Sequence, residues 1–354
     1  MTRMPTMFIP HGGGPCFFMD WDPPETWNRQ RDFLADVPTS LPETPKALLV
    51  ISGHWEEPQF TVQKNPTPPL LFDDNGFPPH TYELTWPAPG DAALSDRVQA
   101  LIEAAGFPCP VDEARGYDHG VFIPLKVAFP QADIPCVQLS LRSDLDPAAH
   151  IAVGRALAPL RDEGVLIIGS GNTYHNMQKM MRAMQGGGGG AVNGEEFDRW
   201  LTNAVTRPDP AERDQMLAQW DAAPGARDAN PREEHLIPLH VVAGAALDDE
   251  GVKTKKWDLL PLPGVSQRDI NDAKKFAQPL AAAAQQGDYT DVQTDILEKG
   301  GNALDAVEQG CRIEEANEKG RSVGKGGLPD RDGNVTLDAC IMNEKGDYGA
   351  VLGV

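Results

Sequence analysis

Val-Leu-Ile-Ile-Gly-Ser-Gly-Asn-Thr-Tyr-His-Asn, residues 165–176, joins a short apolar run to a turn of small residues and a histidine. An apolar run bounded by glycine is typical of a strand that is buried on both faces. Similar runs occur at 7–10, 47–52 and 135–141. We therefore predict four buried strands, of which at least three end near a polar turn.

Helical patterns lie between these predicted strands. Residues 91–105 favour a helix that stops at Gly106, and Asp146 followed by Pro147 predicts the start of a second helix, which ends near Gly164. Alternating strands and helices are typical of an α/β fold with a largely parallel sheet. We predict a mostly parallel sheet flanked by helices, and a ligand site in such a sheet lies at the C-terminal ends of its strands.

Composition excludes several classes of protein. The 354 residues are 40% hydrophobic and 23% charged, and the formal net charge is −21. This acidity argues against nucleic acid and anionic membranes as partners. No apolar run approaches the roughly 20 residues of a membrane helix, and the N-terminus lacks a signal-peptide core. Five scattered cysteines without a Cys-x-x-Cys pair favour a reduced, cytoplasmic protein. The sequence leaves the oligomeric state open.

Three histidines share one position relative to the predicted strands. His11, His54 and His175 each follow a strand within a few residues, among glycines or other small residues. Because the carboxyl ends of parallel strands meet at one edge of a sheet, these side chains can converge. Neutral imidazole is a common ligand of zinc, iron and copper. A single such histidine is more often a loop or cap residue, but the repeated pattern favours a metal site.

Two further histidines are candidates for chemistry. His119 follows Asp118 in a glycine-flanked turn, which suits either an acid–base group or a polar turn. His235 and His240 are five residues apart with Pro238 between them, so we expect at most one to be a ligand, and His235 is the better candidate.

The two histidines that remain, His80 and His150, show no pattern that points to a function. His150 falls inside a helical pattern, and we predict that it lies on the surface.

The chain changes character near residue 250. Before it there are 4 Lys and 14 Arg, and after it 9 Lys and 4 Arg; all eight histidines lie in the first 240 residues. We predict a catalytic domain at 1–250, a junction at 251–296 and a separate segment at 297–354. An acidic loop inside one domain is the alternative interpretation.

Residues 5 to about 245 resemble the class III extradiol ring-cleavage dioxygenases, specifically their DOPA-dioxygenase-like branch. The stretches that carry this resemblance are Phe-Ile-Pro-His-Gly-Gly-Gly-Pro at 8–15, Val-Ile-Ser-Gly-His-Trp at 50–55, Asn-Gly-Phe-Pro at 75–78 with Tyr82 and Trp-Pro-Ala-Pro-Gly at 86–90, Gly-Tyr-Asp-His-Gly at 116–120, Pro-Cys-Val-Gln-Leu-Ser at 135–140, Gly-Ser-Gly-Asn at 169–172 with His175 and Asn176, and Glu-His at 234–235. They occur in the family's order and spacing, so several independent motifs agree.

The resemblance implies one mononuclear metal site, usually Fe(II), with Zn(II) in some members. It implies His11, His54 and His235 as metal ligands, and His175 as a further ligand or an acid–base group. His119 is implied as a second acid–base or substrate-binding group.

The resemblance also suggests where the substrate binds. We predict Tyr82 and Asp118 as substrate-binding residues, and the aromatic and proline-rich segment 75–86 as a wall for a flat ring.

The implied activity is oxygen-dependent extradiol cleavage of a catechol, with a small-molecule catechol and O2 as partners. Ring cleavage needs adjacent open positions on a redox-active metal, and a nearby histidine suits the proton transfers. Two alternatives remain: a zinc-bound relative that performs hydrolysis with the same histidines, and an inactive chimera of two truncated domains.

Residues 297–354 resemble the early part of glycosylasparaginase, an N-terminal-nucleophile hydrolase, in three stretches at 297–310, 322–327 and 330–342. No His-Asp-x-Thr stretch with the family's nucleophile follows, so we expect a small α+β fragment without amidase activity. The first domain departs from its family as well, because the closing strand expected soon after Ala245 is missing or altered.

Overall fold

The computed structural model describes residues 2–21, 24–184 and 194–253, and two strands further along the chain at 339–342 and 348–351. Its contacts divide the chain into two compact units. Met1–Gln185 and Gly189–Leu259 form the first, and Gly186–Gly188 and Leu260–Val354 form the second. No helix among the described residues is long and apolar enough to span a membrane.

A six-stranded sheet forms the centre of the first unit, in the order β1-β6-β2-β5-β3-β4. Its strands are β1 (Thr6–Pro10), β2 (Ala47–Glu57), β3 (Val62–Gln63), β4 (Val111–Asp112), β5 (Cys136–Arg142) and β6 (Val165–Gly171). Neighbouring strands are parallel except β3, which runs antiparallel to β5. This arrangement confirms the predicted α/β fold, and all four predicted strands are present.

Ten α-helices of the described residues connect and cover these strands. They are α1 (Asn28–Ser40), α2 (Ala92–Ala104), α3 (His119–Ala128), α4 (Pro147–Leu157), α5 (Pro159–Asp162), α6 (Met177–Met184), α7 (Glu195–Val205), α8 (Pro210–Ala218), α9 (Ala226–Ala229) and α10 (Ile237–Ala246). The helix start predicted at Asp146 is capped as expected, and the start of α2 is capped in the same way. The side chain of Asp91 accepts a hydrogen bond from the backbone of Leu94, and that of Asp146 from Ala148.

The apolar runs are explained by two cores, one on each face of the sheet. On β2, Leu49 and Ile51 belong to one core, and Leu48 and Val50 to the other. Helices α2, α4, α8 and α10 contribute to the core that contains Leu49 and Ile51. Helices α1 and α3 contribute to the core that contains Leu48 and Val50. A strand covered on both faces needs apolar side chains at every position, which is why the strands could be predicted.

Glycines allow α10 to approach its neighbours closely. A Cβ at Gly154 of α4 would overlap the carbonyl oxygen of Val241, and one at Gly171 of β6 would overlap that of His235. The start of α10 therefore lies directly against the end of β6, which places His235 at the edge of the sheet.

Two buried arginines bind the other end of α10. Arg161 donates to the carbonyl oxygens of Ala245 and Ala246, and Arg213 donates to that of Leu247 at 2.6 Å. These bonds satisfy backbone acceptors that a helix leaves free at its C-terminus. The chain is thus fixed at the point where the composition changes.

His150 is fully buried, so the prediction that it lies on the surface was wrong. Its Nδ1–H donates to the carbonyl oxygen of Asp146 at 2.7 Å, and its Nε2 accepts from the backbone of Arg142 at 3.1 Å. Helix α4 is covered by α10 as well as by α2, which leaves His150 no path to solvent.

Within the second unit, β7 (Ala339–Met342) pairs antiparallel with β8 (Tyr348–Val351). These strands agree with the α+β fragment expected of the tail. The rest of that fragment lies outside the described residues, as do nearly all of the predicted junction 251–296 and the region of the closing strand after residue 253.

Candidate active site

Five histidines meet at the edge of the sheet formed by the strand C-termini. His11 directly follows β1, His54 lies near the end of β2, and His175 follows β6, while His119 begins α3 and His235 precedes α10. The ring centroids of His11 and His54 are 4.9 Å apart, and those of His54 and His235 are 4.6 Å apart. Histidines that are up to 224 positions apart in sequence therefore form one cluster.

Three Nε2 atoms converge at the centre of this cluster. The Nε2 of His54 lies 3.2 Å from that of His11 and 3.1 Å from that of His235. Two nitrogens that bind one ion at about 2.1 Å are separated by about 3.0–3.4 Å. Both distances match this spacing, and the ligand atoms of the three histidines all lie within 4.8 Å of one another, as a shared metal ion requires.

Hydrogen bonds at Nδ1 place the lone pairs of His11 and His235 on Nε2. The hydroxyl of Ser170 donates to the carbonyl oxygen of Gly120, so its oxygen accepts from Nδ1–H of His11 at 3.1 Å. Nδ1–H of His235 donates to Oε1 of Glu234 at 3.0 Å. With the protons on Nδ1, the lone pairs at Nε2 of His11 and His235 both face His54, and the amide of Asn172 lies 3.3 Å from Nε2 of His11. A cation between the three rings would satisfy these lone pairs.

Burial keeps these three imidazoles neutral. It lowers the pKa of His11 well below its usual value, that of His54 to about 2 and that of His235 to about 4, and the neighbouring histidines add to the decrease at each. Only neutral imidazole binds a metal ion, so the electrostatics agree with the geometry.

His119 is bound to a carboxylate that the sequence did not single out. Its Nδ1–H donates to Oδ1 of Asp73 at 2.8 Å, its backbone N–H donates to the same oxygen, and its ring lies 3.8 Å from that of His54. Burial disfavours the imidazolium ion, but Asp73 outweighs it and raises the pKa of His119 above its usual value. The same hydrogen bond outweighs burial at Asp73 and lowers the pKa of its carboxyl to about 2.

His175 stacks on His235, with ring centroids 3.4 Å apart and planes inclined by 19°. Its Nδ1 lies 3.1 Å from Oε1 of Glu234, the oxygen that also accepts from His235. His175 is therefore adjacent to the three converging nitrogens and is held by a carboxylate, as His119 is.

Asp118 is completely buried and its carboxylate is occupied by protein donors. Ser52 donates to it at 2.7 Å, Arg115 at 3.0 Å, and the amide of Gln138 also donates. This geometry favours a positioning role below the histidines over the predicted substrate contact. The carboxylate that binds His119 is Asp73 rather than the adjacent Asp118.

Tyr82 lies in a short 3-10 helix, Pro79–Glu83, and its hydroxyl accepts from the backbone of Phe77 at 3.2 Å. Its ring packs at 5.8 Å from that of Phe72. Phe77, which also belongs to the aromatic segment 75–86, approaches Gly14 in the glycine loop that follows His11. The aromatic segment thus borders the site, and Tyr82 supports Phe77.

Sequence reasoning missed the residues that orient the histidines. Asp73 and Ser170 were not predicted, and Glu234 was noted only as a neighbour of His235. Asn172 was missed too; its Nδ2 lies 3.3 Å from Nε2 of His11, and its Oδ1 has no hydrogen-bond partner among the described residues. The run at 169–172 that ends in this asparagine was the one available signal.

The sequence at residues 5–268 matches the family model described as the catalytic LigB subunit of aromatic ring-opening dioxygenase. A Beta vulgaris protein named 4,5-DOPA dioxygenase extradiol is 38% identical over 261 residues, which cover 72% of this chain and 91% of the relative. This chain is also similar to a crystal structure of an uncharacterized protein from Escherichia coli K12, with 32% sequence identity and a TM-score of 0.52. The match covers 69% of this chain and 89% of the Escherichia coli chain.

The C-terminal region matches a different family. Residues 264–354 match the model described as asparaginase. An N(4)-(Beta-N-acetylglucosaminyl)-L-asparaginase from Elizabethkingia miricola is 43% identical over 103 residues, 28% of this chain and 30% of that relative. The chain spans less than a third of that protein. The two family matches overlap at residues 264–268, inside the segment 251–296 that we predicted as a junction.

Proposed function

This chain belongs to the LigB family of aromatic ring-opening dioxygenases, and we propose that it performs extradiol cleavage of a catechol at one metal ion held by His11, His54 and His235. The convergence of three Nε2 atoms at separations of 3.1 and 3.2 Å is the observation that carries this proposal. The Beta vulgaris relative named 4,5-DOPA dioxygenase extradiol supports the type of reaction.

Fe(II) is the metal that we propose. Bound to these nitrogens, it would supply a redox-active centre with open coordination positions for the catechol oxygens and O2. Zinc has no accessible redox change, so the same three nitrogens would hold it without supporting oxygenation.

Proton transfer is assigned to His119 and His175. Each lies against the ring of a ligand histidine, and each is bound at Nδ1 by a carboxylate, Asp73 or Glu234. This leaves the second ring nitrogen of each imidazole for exchange with a catechol hydroxyl or with the opened ring. We therefore propose an acid–base role for His175 in preference to a fourth ligand.

The proposed substrate is a small-molecule catechol. The aromatic segment that borders the site, with Phe77 next to Gly14 and Tyr82 behind it, provides an apolar surface for a flat ring. Asp118 would act indirectly, because its contacts with Ser52 and Gln138 fix the floor beneath His54 and His119.

Anaerobic reconstitution with Fe(II), followed by O2 uptake with a panel of catechols, tests the proposal. We expect stoichiometric uptake and a yellow ring-cleavage product from iron-loaded protein, and neither from zinc-loaded protein. Replacing His175 by Ala should leave iron bound and abolish the product. Iron-loaded protein that consumes no O2 with any catechol would contradict the proposal.

A further inference from the structure

One carboxylate oxygen binds two histidines that come from different parts of the chain. Oε1 of Glu234 lies 3.0 Å from Nδ1 of His235 and 3.1 Å from Nδ1 of His175. The two rings are stacked almost in parallel at 3.4 Å. A single acceptor therefore sets the tautomer and the orientation of both imidazoles.

The rest of the Glu234 carboxylate makes no comparable contact. Its Oε2 is buried and has no hydrogen-bond partner among the described residues; Arg232 forms an ion pair with it at 3.5 Å but donates its hydrogen bonds to Glu56. A buried oxygen without a hydrogen bond costs stability, so stability alone does not explain an arrangement that keeps both histidines on Oε1.

The backbone around Glu234 is fixed independently of its side chain. The carbonyl oxygen of His235 accepts from the backbone of Asn172 at 2.9 Å, and Gly53 leaves room for the carbonyl oxygen of Glu234. Because the backbone is held by these contacts, replacement of the Glu234 side chain should leave the fold in place.

We infer that Glu234 is a positioning residue that orients a metal ligand and a proton-transfer group together, through Nδ1 of His235 and Nδ1 of His175. This inference rests on the function proposed above. It means that loss of one side chain weakens the metal site and misaligns the acid–base group at the same time.

Asp73 provides the matched contrast. Its Oδ1 binds Nδ1 of His119 at 2.8 Å, but its Oδ2 is 3.6 Å from Nδ1 of His54, which is beyond hydrogen-bond distance. Asp73 thus orients the acid–base candidate His119 without a hydrogen bond to a ligand. Its removal should affect turnover with little effect on metal affinity.

Metal affinity is the first test, because it does not require turnover. In full-length protein titrated with Zn(II) against a competing chelator, Glu234→Ala should bind about 10–100-fold more weakly than the natural protein. Glu234→Gln keeps an acceptor oxygen and should be intermediate. Asp73→Asn and Glu233→Gln, whose carboxylate pairs with the exposed Arg227, should bind like the natural protein. Unchanged affinity in both Glu234 variants would overturn the inference.

The tautomers provide a spectroscopic test. In zinc-loaded protein with ¹⁵N-labelled histidine, His175 and His235 should both carry the proton on Nδ1, and Glu234→Ala should alter the signals of both. Asp73→Asn should alter the His119 signal and leave His175 unchanged. A His175 signal that is unaffected in Glu234→Ala would show that the carboxylate does not orient it, which would also overturn the inference.

Kinetics at saturating Fe(II) separate this inference from the proposed function. Glu234→Gln should lower kcat more than it changes KM, whereas Glu233→Gln should leave both unchanged. A kcat of Glu234→Gln equal to that of the natural protein would refute the effect of Glu234 on the acid–base group. If the natural protein has no ring-cleavage activity, the proposed function fails, while the zinc and tautomer measurements still decide the role of Glu234.

Discussion

Two of the three ligand candidates are oriented by a hydrogen bond at the nitrogen that faces away from the cluster. Ser170 binds Nδ1 of His11, and Glu234 binds Nδ1 of His235. Such partners hold the imidazoles in the tautomer that directs a lone pair inward. The chemistry of the cluster therefore depends on residues that need not touch the metal.

Replacing Ser170 by Ala tests this dependence at His11. The change removes the acceptor at Nδ1 of His11, so we expect metal affinity to fall about 10-fold in a zinc titration. Ser95→Ala is the control, because this buried hydroxyl donates to the carbonyl oxygen of Gln63 in another part of the unit. It should cost about 1 kcal/mol of stability and leave metal affinity unchanged. Equal metal affinity in the two variants would contradict the role of Ser170.

His150 predicts a pH dependence of stability that is separate from the metal site. Burial lowers its pKa to about 4, whereas the pKa in the unfolded chain is near 6.5. Below pH 6.5 the unfolded state therefore binds more protons, and the free energy of unfolding decreases as the pH falls. From pH 7 to pH 5 this residue should account for a loss of about 2 kcal/mol.

Urea unfolding of the metal-free protein at these two pH values measures the effect. His150→Gln can keep one donor and one acceptor but cannot be protonated, so it should lose about 2 kcal/mol less than the natural protein. His80→Gln, at an exposed histidine, should behave like the natural protein. If the free energy of unfolding of His150→Gln depends on pH as that of the natural protein does, the buried neutral histidine is not the cause of this dependence.

At the scale of the element, the site depends on how closely α10 and β6 approach. Gly171 permits contact between β6 and the backbone of His235, and Gly154 permits contact between α4 and α10. The first contact places a ligand candidate, whereas the second only packs helices. Substitutions at the two glycines can therefore distinguish an effect on the stability of the fold from an effect on the geometry of the site.

Alanine at each glycine should give different results. We expect Gly154→Ala to lower stability by about 1–3 kcal/mol through overpacking while metal stoichiometry is kept. Gly171→Ala should lower stability to a similar extent and also reduce metal binding, because the added Cβ displaces the backbone of His235. Thermal unfolding combined with metal analysis tests both. Full metal content in Gly171→Ala would refute the positioning argument.

The elements that sequence predicts well are those with a strong local signal. The four long strands follow directly from their apolar runs, and Asp146 followed by Pro147 marks the start of α4 by its capping chemistry. The short strands β3 and β4 were not predicted, because two residues give no pattern. His150 was misplaced because its helical pattern does not reveal that another helix, α10, covers α4.

The part of the site that could be predicted is the part with a local sequence signal. His11 and His175 follow strands, and His54 lies within the last residues of β2 rather than after it as predicted, so their convergence could be inferred from topology. Asp73 lies in an irregular segment, and its contact with His119 depends on tertiary packing that no local pattern encodes. The sequence analysis named the adjacent Asp118, but as a substrate-binding residue and not as the partner of His119.

At the scale of the whole molecule, two family matches divide the chain between a ring-opening dioxygenase and part of an asparaginase. Every proposed site residue lies between His11 and His235, and both cores of the first unit are built from residues before 246. We propose that residues 1–250 form the catalytic domain, with a junction at 251–296 and a separate segment at 297–354.

A chain that ends at Lys253 tests this organisation. It keeps both cores and the arginines that bind the end of α10. We expect the shortened protein to bind one metal ion per chain and to retain the ring-cleavage rate of the full-length protein. A shortened protein that folds but binds no metal would show that residues after 253 contribute to the site.

The central claim is that His11, His54 and His235 together hold the metal. Iron content after anaerobic reconstitution and removal of free metal, measured for the natural protein and for alanine variants of these three histidines, tests it most directly. We predict one iron per chain in the natural protein, less than about a tenth of that in each variant, and full occupancy in His119→Ala. Stoichiometric iron in any of the three ligand variants would contradict the claim.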